Sequence, residues 1–230
     1  MACTGRGQAF QTNKIIAVRR DKIRFKMKKW LTLRNINHKV LTIMFEQVLK
    51  FYQDFPTKGI KFVDIMPFLQ DKKVFGALLH EVGKYIAAPT VAAPEARAFL
   101  FSAPLLVTDD RVTNIVPFRK KGKLPFSDGD LKSIGIMKEY GPDNLFFRLS
   151  DIAAGKAEDG VFRISIIDDV LATGGTAEGI AKSLEETRIT VGDKEYSIKV
   201  SEFIFIVEID GLNGRDRLSE IAPVHAITHT

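Results

Sequence analysis

Val161-Phe162-Arg163-Ile164-Ser165-Ile166-Ile167-Asp168-Asp169-Val170-Leu171-Ala172-Thr173-Gly174-Gly175-Thr176 is the stretch whose reading decides the fold. Val161–Ile167 reads as a buried strand, because it is apolar almost throughout and runs straight into two carboxylates. From the Thr-Gly-Gly-Thr turn onward, 173–187 reads as a helix, separated from the next element by Val191-Gly192-Asp193. A buried strand that turns through glycines into a helix is a unit of a parallel α/β sheet, whose ligands lie at the carboxyl ends of the strands. The glycines let backbone come close to a ligand. The N–H groups of the first helical turn, with the hydroxyls of Thr173 and Thr176, can then surround a phosphate. Asp168 and Asp169 would repel a bare phosphate. The arrangement suits a ligand with hydroxyls next to its phosphate: the hydroxyls donate to the carboxylates, and a hydrated Mg2+ relieves the charge nearby. Gly-Gly alone would only start a helix; the whole string points to a phosphorylated ribose.

Working outward, short apolar strands alternate with helices. Phe45, Val48, Leu49, Phe51 and Tyr52 fall at helical spacing, so a short amphipathic helix is expected from Met44. Asp71 is a candidate N-cap for a helix over 71–86 carrying Val74, Leu78, Val82, Tyr85 and Ile86 on one side. The run Thr90-Val91-Ala92-Ala93 precedes a helix near 98–107 and the strand-like Val112–Phe118. Residues 119–130 are basic, contain glycine and lack periodicity, which predicts a loop. Ile134–Met137 and Leu145–Leu149 are expected to form a hairpin about Gly141-Pro142-Asp143-Asn144, and Ser197–Ile209 a long strand.

The chain has 230 residues and a net charge of +6, but eleven basic residues against Asp21 alone lie within 1–43, leaving the remainder at −4. The organisation expected is a basic extension over 1–43 and one domain over 44–230. The extension suits an organelle-targeting presequence or a basic arm, and equally a solvated stretch upstream of a start at Met44, which is the reading preferred. The acidic body gives no footing for nucleic acid. No apolar run reaches the ~18–20 residues of a transmembrane helix, and no membrane partner is expected. Cys3 is the single cysteine, which excludes an internal disulfide and favours a cytoplasmic setting.

The string 167–176 resembles the phosphoribosyl pyrophosphate signature of the type I phosphoribosyltransferases; it lacks the Gly-x-x-x-x-Gly-Lys-Ser/Thr of a Walker loop. Further stretches resemble the adenine phosphoribosyltransferase family in order and spacing: Asp54–Leu69, Pro94-Glu95-Ala96-Arg97-Ala98-Phe99-Leu100-Phe101, Val116–Pro125 with Lys138-Glu139-Tyr140-Gly141, and Val207–Arg215. The resemblance implies a parallel sheet flanked by helices, with a small hood and a flexible lid hairpin. It implies Asp168, Asp169, Ala172, Thr173, Gly174, Gly175 and Thr176 around the ribose 5-phosphate. Glu95, Ala96, Arg97, Arg119, Lys120 and Lys123 would hold the pyrophosphate, with a strained or cis peptide before the arginine. Lys61 and Phe62 would contact the base, although Phe62 read by itself is a core residue. Glu139 would be the acid–base group, and the closing segment would support the fold.

The implied reaction joins adenine to the ribose of phosphoribosyl pyrophosphate, giving AMP and pyrophosphate in a Mg2+-dependent homodimer. Two departures stand out. Val63 occupies a place where the family commonly has arginine, which leaves hypoxanthine, xanthine or guanine open as bases. Ala98 replaces a glycine. A sensor of phosphoribosyl pyrophosphate without catalysis is the reading from another class.

Overall fold

A computed structural model describes residues 38–138 and 141–230, and the chain divides into two units, Met1–Ile43 and Met44–Thr230. The expected basic extension lies outside the described residues as far as position 37. Helix α1 is His38–Val48, and it is followed by a two-stranded antiparallel ribbon, β1 (Lys50–Gln53) and β2 (Lys61–Asp64). Phe51 and Tyr52 therefore leave the helix expected for them. Aromatic residues suit a strand that has a partner to pair with, and both are largely exposed in β1.

Helix α2 (Lys72–Tyr85) starts where expected, because the Asp71 carboxylate accepts from the N–H groups of Lys73 and Val74. Strand β3 (Thr90–Pro94) is next. The single helix expected near 98–107 is two, α3 (Ala98–Ser102) and α4 (Leu105–Thr108). Pro104 has no N–H to donate to the preceding turn, so the helix restarts there. Strand β4 is Asn114–Lys120, so Arg119 and Lys120 end a strand rather than open a loop. The hairpin is present, but its strands β5 (Leu131–Lys138) and β6 (Gly141–Arg148) stay in register to Lys138↔Gly141. That register places Gly141–Asn144 inside the ladder instead of at its turn. Arg148 then leads into α5 (Leu149–Ala153).

Strand β7 (Ala157–Glu158) pairs with β8 (Val161–Leu171), which runs four residues past Ile167 and so carries both aspartates. Helix α6 is Gly175–Glu186. Residues 188–201, longer than the short link the family resemblance implies, fall within a hairpin of β9 (Arg188–Val191) and β10 (Lys194–Glu208), turning at Gly192 with φ 60°. Helix α7 (Gly214–Ser219) and β11 (Val224–His229) close the fold.

The main sheet runs β11-β10-β8-β3-β4-β6-β5. From β11 to β4 neighbours are parallel, and β6 joins β4 antiparallel through Arg119↔Phe146 and Lys120↔Leu145. Every residue of β3 is buried, and β8 is buried on both faces from Ile164 to Ile167, which is what helices covering both sides of a parallel sheet produce. Phe118 and Phe147 pack 4.9 Å apart between ring centroids, joining hairpin to core.

Polar side chains are buried within this core too, among them Glu202 and Ser165. Glu202 is 2% exposed and accepts from the Ala87 N–H at 2.9 Å and from the Ser165 hydroxyl. Burial raises its pKa, against the opposing effect of those two donors. A raised carboxyl pKa contributes stability that is present at acid pH and is lost as pH rises through the folded-state value. Glu202→Gln, which cannot ionise, should therefore lose less melting temperature than the unsubstituted protein between pH 5 and pH 8. Parallel melting curves across that window would contradict the assignment.

Candidate active site

Strands β3 and β8 lie side by side with their carboxyl ends at one edge of the sheet, and the segments leaving them line a cleft of about 320 Å3. From β3 come Pro94, Glu95, Ala96 and Arg97; from β8 and the turn beyond come Asp168 to Ala177; Leu145 and Phe205 complete the wall. Of the residues singled out above, Glu95, Ala96, Arg97 and the seven of the 168–176 set line this one cleft.

The turn is shaped for backbone contact. Gly174 precedes α6 with φ 77°, in the left-handed region that favours glycine, and no side chain caps the helix. The N–H groups of the first turn of α6 therefore have no side-chain partner from the cap position, and the helix dipole adds positive potential there. Asp168 and Asp169 line the same cleft. The N–H of Asp169 donates to Asp168 Oδ1 at 2.8 Å. Burial and the adjoining Asp169 carboxylate raise the pKa of Asp168 well above the ordinary range, with Arg97 opposing. Asp169 is 7% exposed, and its Oδ2, 2.6 Å from Arg97 Nε, accepts no hydrogen bond. That contact is an ion pair without hydrogen-bond direction, and it leaves a buried acceptor open.

The peptide bond Glu95–Ala96 is cis, one bond upstream of the Ala96–Arg97 bond. Ala98 opens α3, fully buried and without a positive φ, so its methyl meets no conformational obstacle. Arg97 spans the cleft edge: its guanidinium pairs with Asp169 and sits 5.3 Å above the centre of the Phe62 ring. Phe62 thus reaches the site through Arg97. Lys61 is next to it in β2, but its ammonium lies over the Phe51 ring, 4.4 Å from the centroid. Val63 is buried and pairs with Phe51 across the ribbon, a packing position.

Arg119 pairs with Glu95 and lies over the Phe99 ring at 5.7 Å. Burial alone would raise the Glu95 pKa, but the Arg119 guanidinium and the Lys120 N–H outweigh it and hold the carboxyl low. Lys123 follows in an exposed turn, its N–H bonded to the Lys120 carbonyl, and is not among the cleft-lining residues. Glu139 lies outside the described residues.

Gly214 was not singled out for the site. A Cβ there would stand 2.2 Å from the Ala172 carbonyl oxygen and 2.8 Å from Leu171 Cδ1, so α7 packs directly behind the phosphate-type turn. In the sequence Gly214 figures only as part of the closing Val207–Arg215 segment, to which the resemblance gives a fold-supporting part. Arg215 beside it forks onto Glu208, with Nε 3.0 and 3.1 Å from the two carboxylate oxygens, and donates to the Val224 carbonyl at 2.7 Å.

No family model matches the chain. The adenine phosphoribosyltransferase of Methanococcus vannielii is 36% identical over 173 residues, covering 74% of this chain and 88% of that one. The crystal structure of adenine phosphoribosyltransferase from Thermoanaerobacter pseudethanolicus superposes with a TM-score of 0.67 at 34% identity, covering 82% of this chain and 99% of the other. The Saccharomyces cerevisiae enzyme, crystallised with an imino-altritol bisphosphate and adenine, gives a TM-score of 0.64 at 28% identity over 82% of this chain and 99% of the other. With identity of this extent spread over most of both sequences, and with the acidic pair and glycine turn at the carboxyl end of a parallel strand, the chain belongs to the adenine phosphoribosyltransferase family.

Proposed function

We propose that the cleft transfers the 5-phosphoribosyl group of phosphoribosyl pyrophosphate to adenine, releasing AMP and pyrophosphate. The observation that carries this reading is the pairing, in one cleft, of the uncapped amide groups at the start of α6 with the buried Asp169 Oδ2, which accepts no hydrogen bond. The amides suit a phosphate; the carboxylates suit the hydroxyls of the attached ribose. The name of the family and the adenine bound in the yeast relative supply the base.

In this assignment Ala172 to Thr176 wrap the 5-phosphate, and Asp168 and Asp169 take the ribose hydroxyls. The Glu95-Ala96-Arg97 turn, with Arg119, Lys120 and Lys123, neutralises the pyrophosphate, and Phe62 offers its face to the purine. Glu139 holds and protonates the imidazole side of the base. The cleavage leaves oxocarbenium-type charge on the ribose, so the site needs placement and charge stabilisation more than covalent help. The β5–β6 hairpin and the turn 121–130 would cover the cleft and exclude water.

Among the described residues no cluster of three metal-ligating side chains occurs. The two aspartates fit a Mg2+ held mainly by substrate oxygens and water, with Asp168 and Asp169 nearby; that ion would offset the charge of the leaving pyrophosphate. We extend the proposal to a cytoplasmic homodimer whose catalytic unit is residues 44–230.

Steady-state assays with phosphoribosyl pyrophosphate, Mg2+ and adenine, hypoxanthine, guanine or xanthine test the reading, with adenine expected to give the highest kcat/KM. Tight binding of phosphoribosyl pyrophosphate without turnover of any base would make the protein a sensor. Glu139→Gln should lower kcat at least a hundredfold, about the lower bound for general acid–base catalysis, with substrate affinity preserved.

A further inference from the structure

Arg97 is tied on two sides, and both ties are groups to which the reading above gives a substrate contact. Its Nε is 2.6 Å from Asp169 Oδ2, and its guanidinium covers the Phe62 ring at 5.3 Å. In this arrangement the cation for the leaving group occupies the acceptor meant for a ribose hydroxyl and the aromatic face meant for a purine. The tie to Asp169 rests on charge alone, since Oδ2 accepts no hydrogen bond while being almost fully buried. A hydroxyl that donates to Oδ2 supplies the directed bond that the guanidinium does not, and it takes the place the guanidinium holds.

Resting on that functional reading, we infer that Asp169, assisted by Phe62, holds Arg97 away from pyrophosphate until ribose hydroxyls and base arrive to release it. Asp169 is then a specificity-determining residue. It makes the cleft a poor site for free pyrophosphate and a good one for pyrophosphate attached to ribose. The device is an exchange of partners whose strength shows as coupling between ribose and pyrophosphate binding, and such coupling is reciprocal. Glu95 pairs with Arg119 as well, there accepting a hydrogen bond from Nε, which keeps the second guanidinium engaged.

The experiment is calorimetric titration of the full chain with inorganic pyrophosphate in the absence of divalent cations, for the unsubstituted protein, Asp169→Asn, Arg97→Ala and the double variant. Asp169→Asn should bind pyrophosphate about fivefold or more tightly than the unsubstituted protein, the lower range of coupling between sites. In the Arg97→Ala background the same substitution should change affinity less than twofold, because no cation remains to be released. Equal tightening in both backgrounds would mean that Asp169 acts only by repelling the anion, and would overturn the inference. So would no tightening at all.

A second measurement needs no variant. Saturating ribose 5-phosphate should tighten pyrophosphate binding to the unsubstituted protein about fivefold, despite adding another anion to the cleft. Binding of both ligands without coupling would sink the exchange and leave the functional reading standing. Failure of ribose 5-phosphate to bind would overturn both.

Discussion

Gly214→Ala should lower kcat/KM for phosphoribosyl pyrophosphate about a hundredfold, as a displacement of about 1 Å in a positioning element does. The added methyl would lie 2.2 Å from the Ala172 carbonyl oxygen, and a backbone atom cannot rotate away as a side chain does. Leu171 Cδ1, at 2.8 Å, can move; the carbonyl can only carry its turn with it. Helix α7 is the less free partner, because Arg215 fastens its first turn to Glu208 and to the Val224 carbonyl. The phosphate-type turn yields, and its amide groups leave the positions that a phosphate requires. Overpacking of this kind costs about 1–3 kcal/mol of stability as well. Steady-state kinetics beside a melting curve checks it: kinetics within threefold of the parent would show that the turn tolerates the shift.

Arg97→Ala should depress kcat by about 10²–10³, the usual loss on removing one donor aimed at developing charge, while KM for phosphoribosyl pyrophosphate changes little. The split follows from the ion pair. Breaking the ion pair with Asp169 as the substrates bind offsets much of what Arg97 gains on pyrophosphate in the ground state, so the larger part of its contribution is realised as the leaving charge develops. A variant whose KM rises steeply while kcat is preserved would place Arg97 in ground-state binding instead.

The most legible part of the sequence was the part with local rules. Asp71 announces α2 because a carboxylate beside two free amide groups is a nearest-neighbour interaction. The β8–α6 unit is equally local, since an apolar run, two acids and a glycine pair fix strand, turn and helix within sixteen residues. Where partners are distant the reading failed. Phe51 and Tyr52 keep helical spacing with Phe45 and Val48, yet β2, ten residues on, draws them into a ribbon. The turn expected at Gly141–Asn144 moved because register is decided by both strands together, and Pro142 with Gly141 signals a turn only when no ladder claims them. For the site, residue types were visible but pairings were not. Nothing near Arg97 in the chain says that it rests on Asp169, seventy-two residues away, and nothing near Gly214 says that it backs Ala172.

That last contact also bears on how the protein is made. A chain leaving the ribosome amino end first presents the turn 172–176 well before Gly214 exists to stand behind it, and β8 before its neighbour β10. Parallel pairing over such separations is slow, because loop closure must precede the contacts that reward it. The pocket should consequently acquire its shape late, after translation has passed α7. A nascent chain stalled upstream of Gly214 would carry every residue of the phosphate turn and still lack its rigid seat.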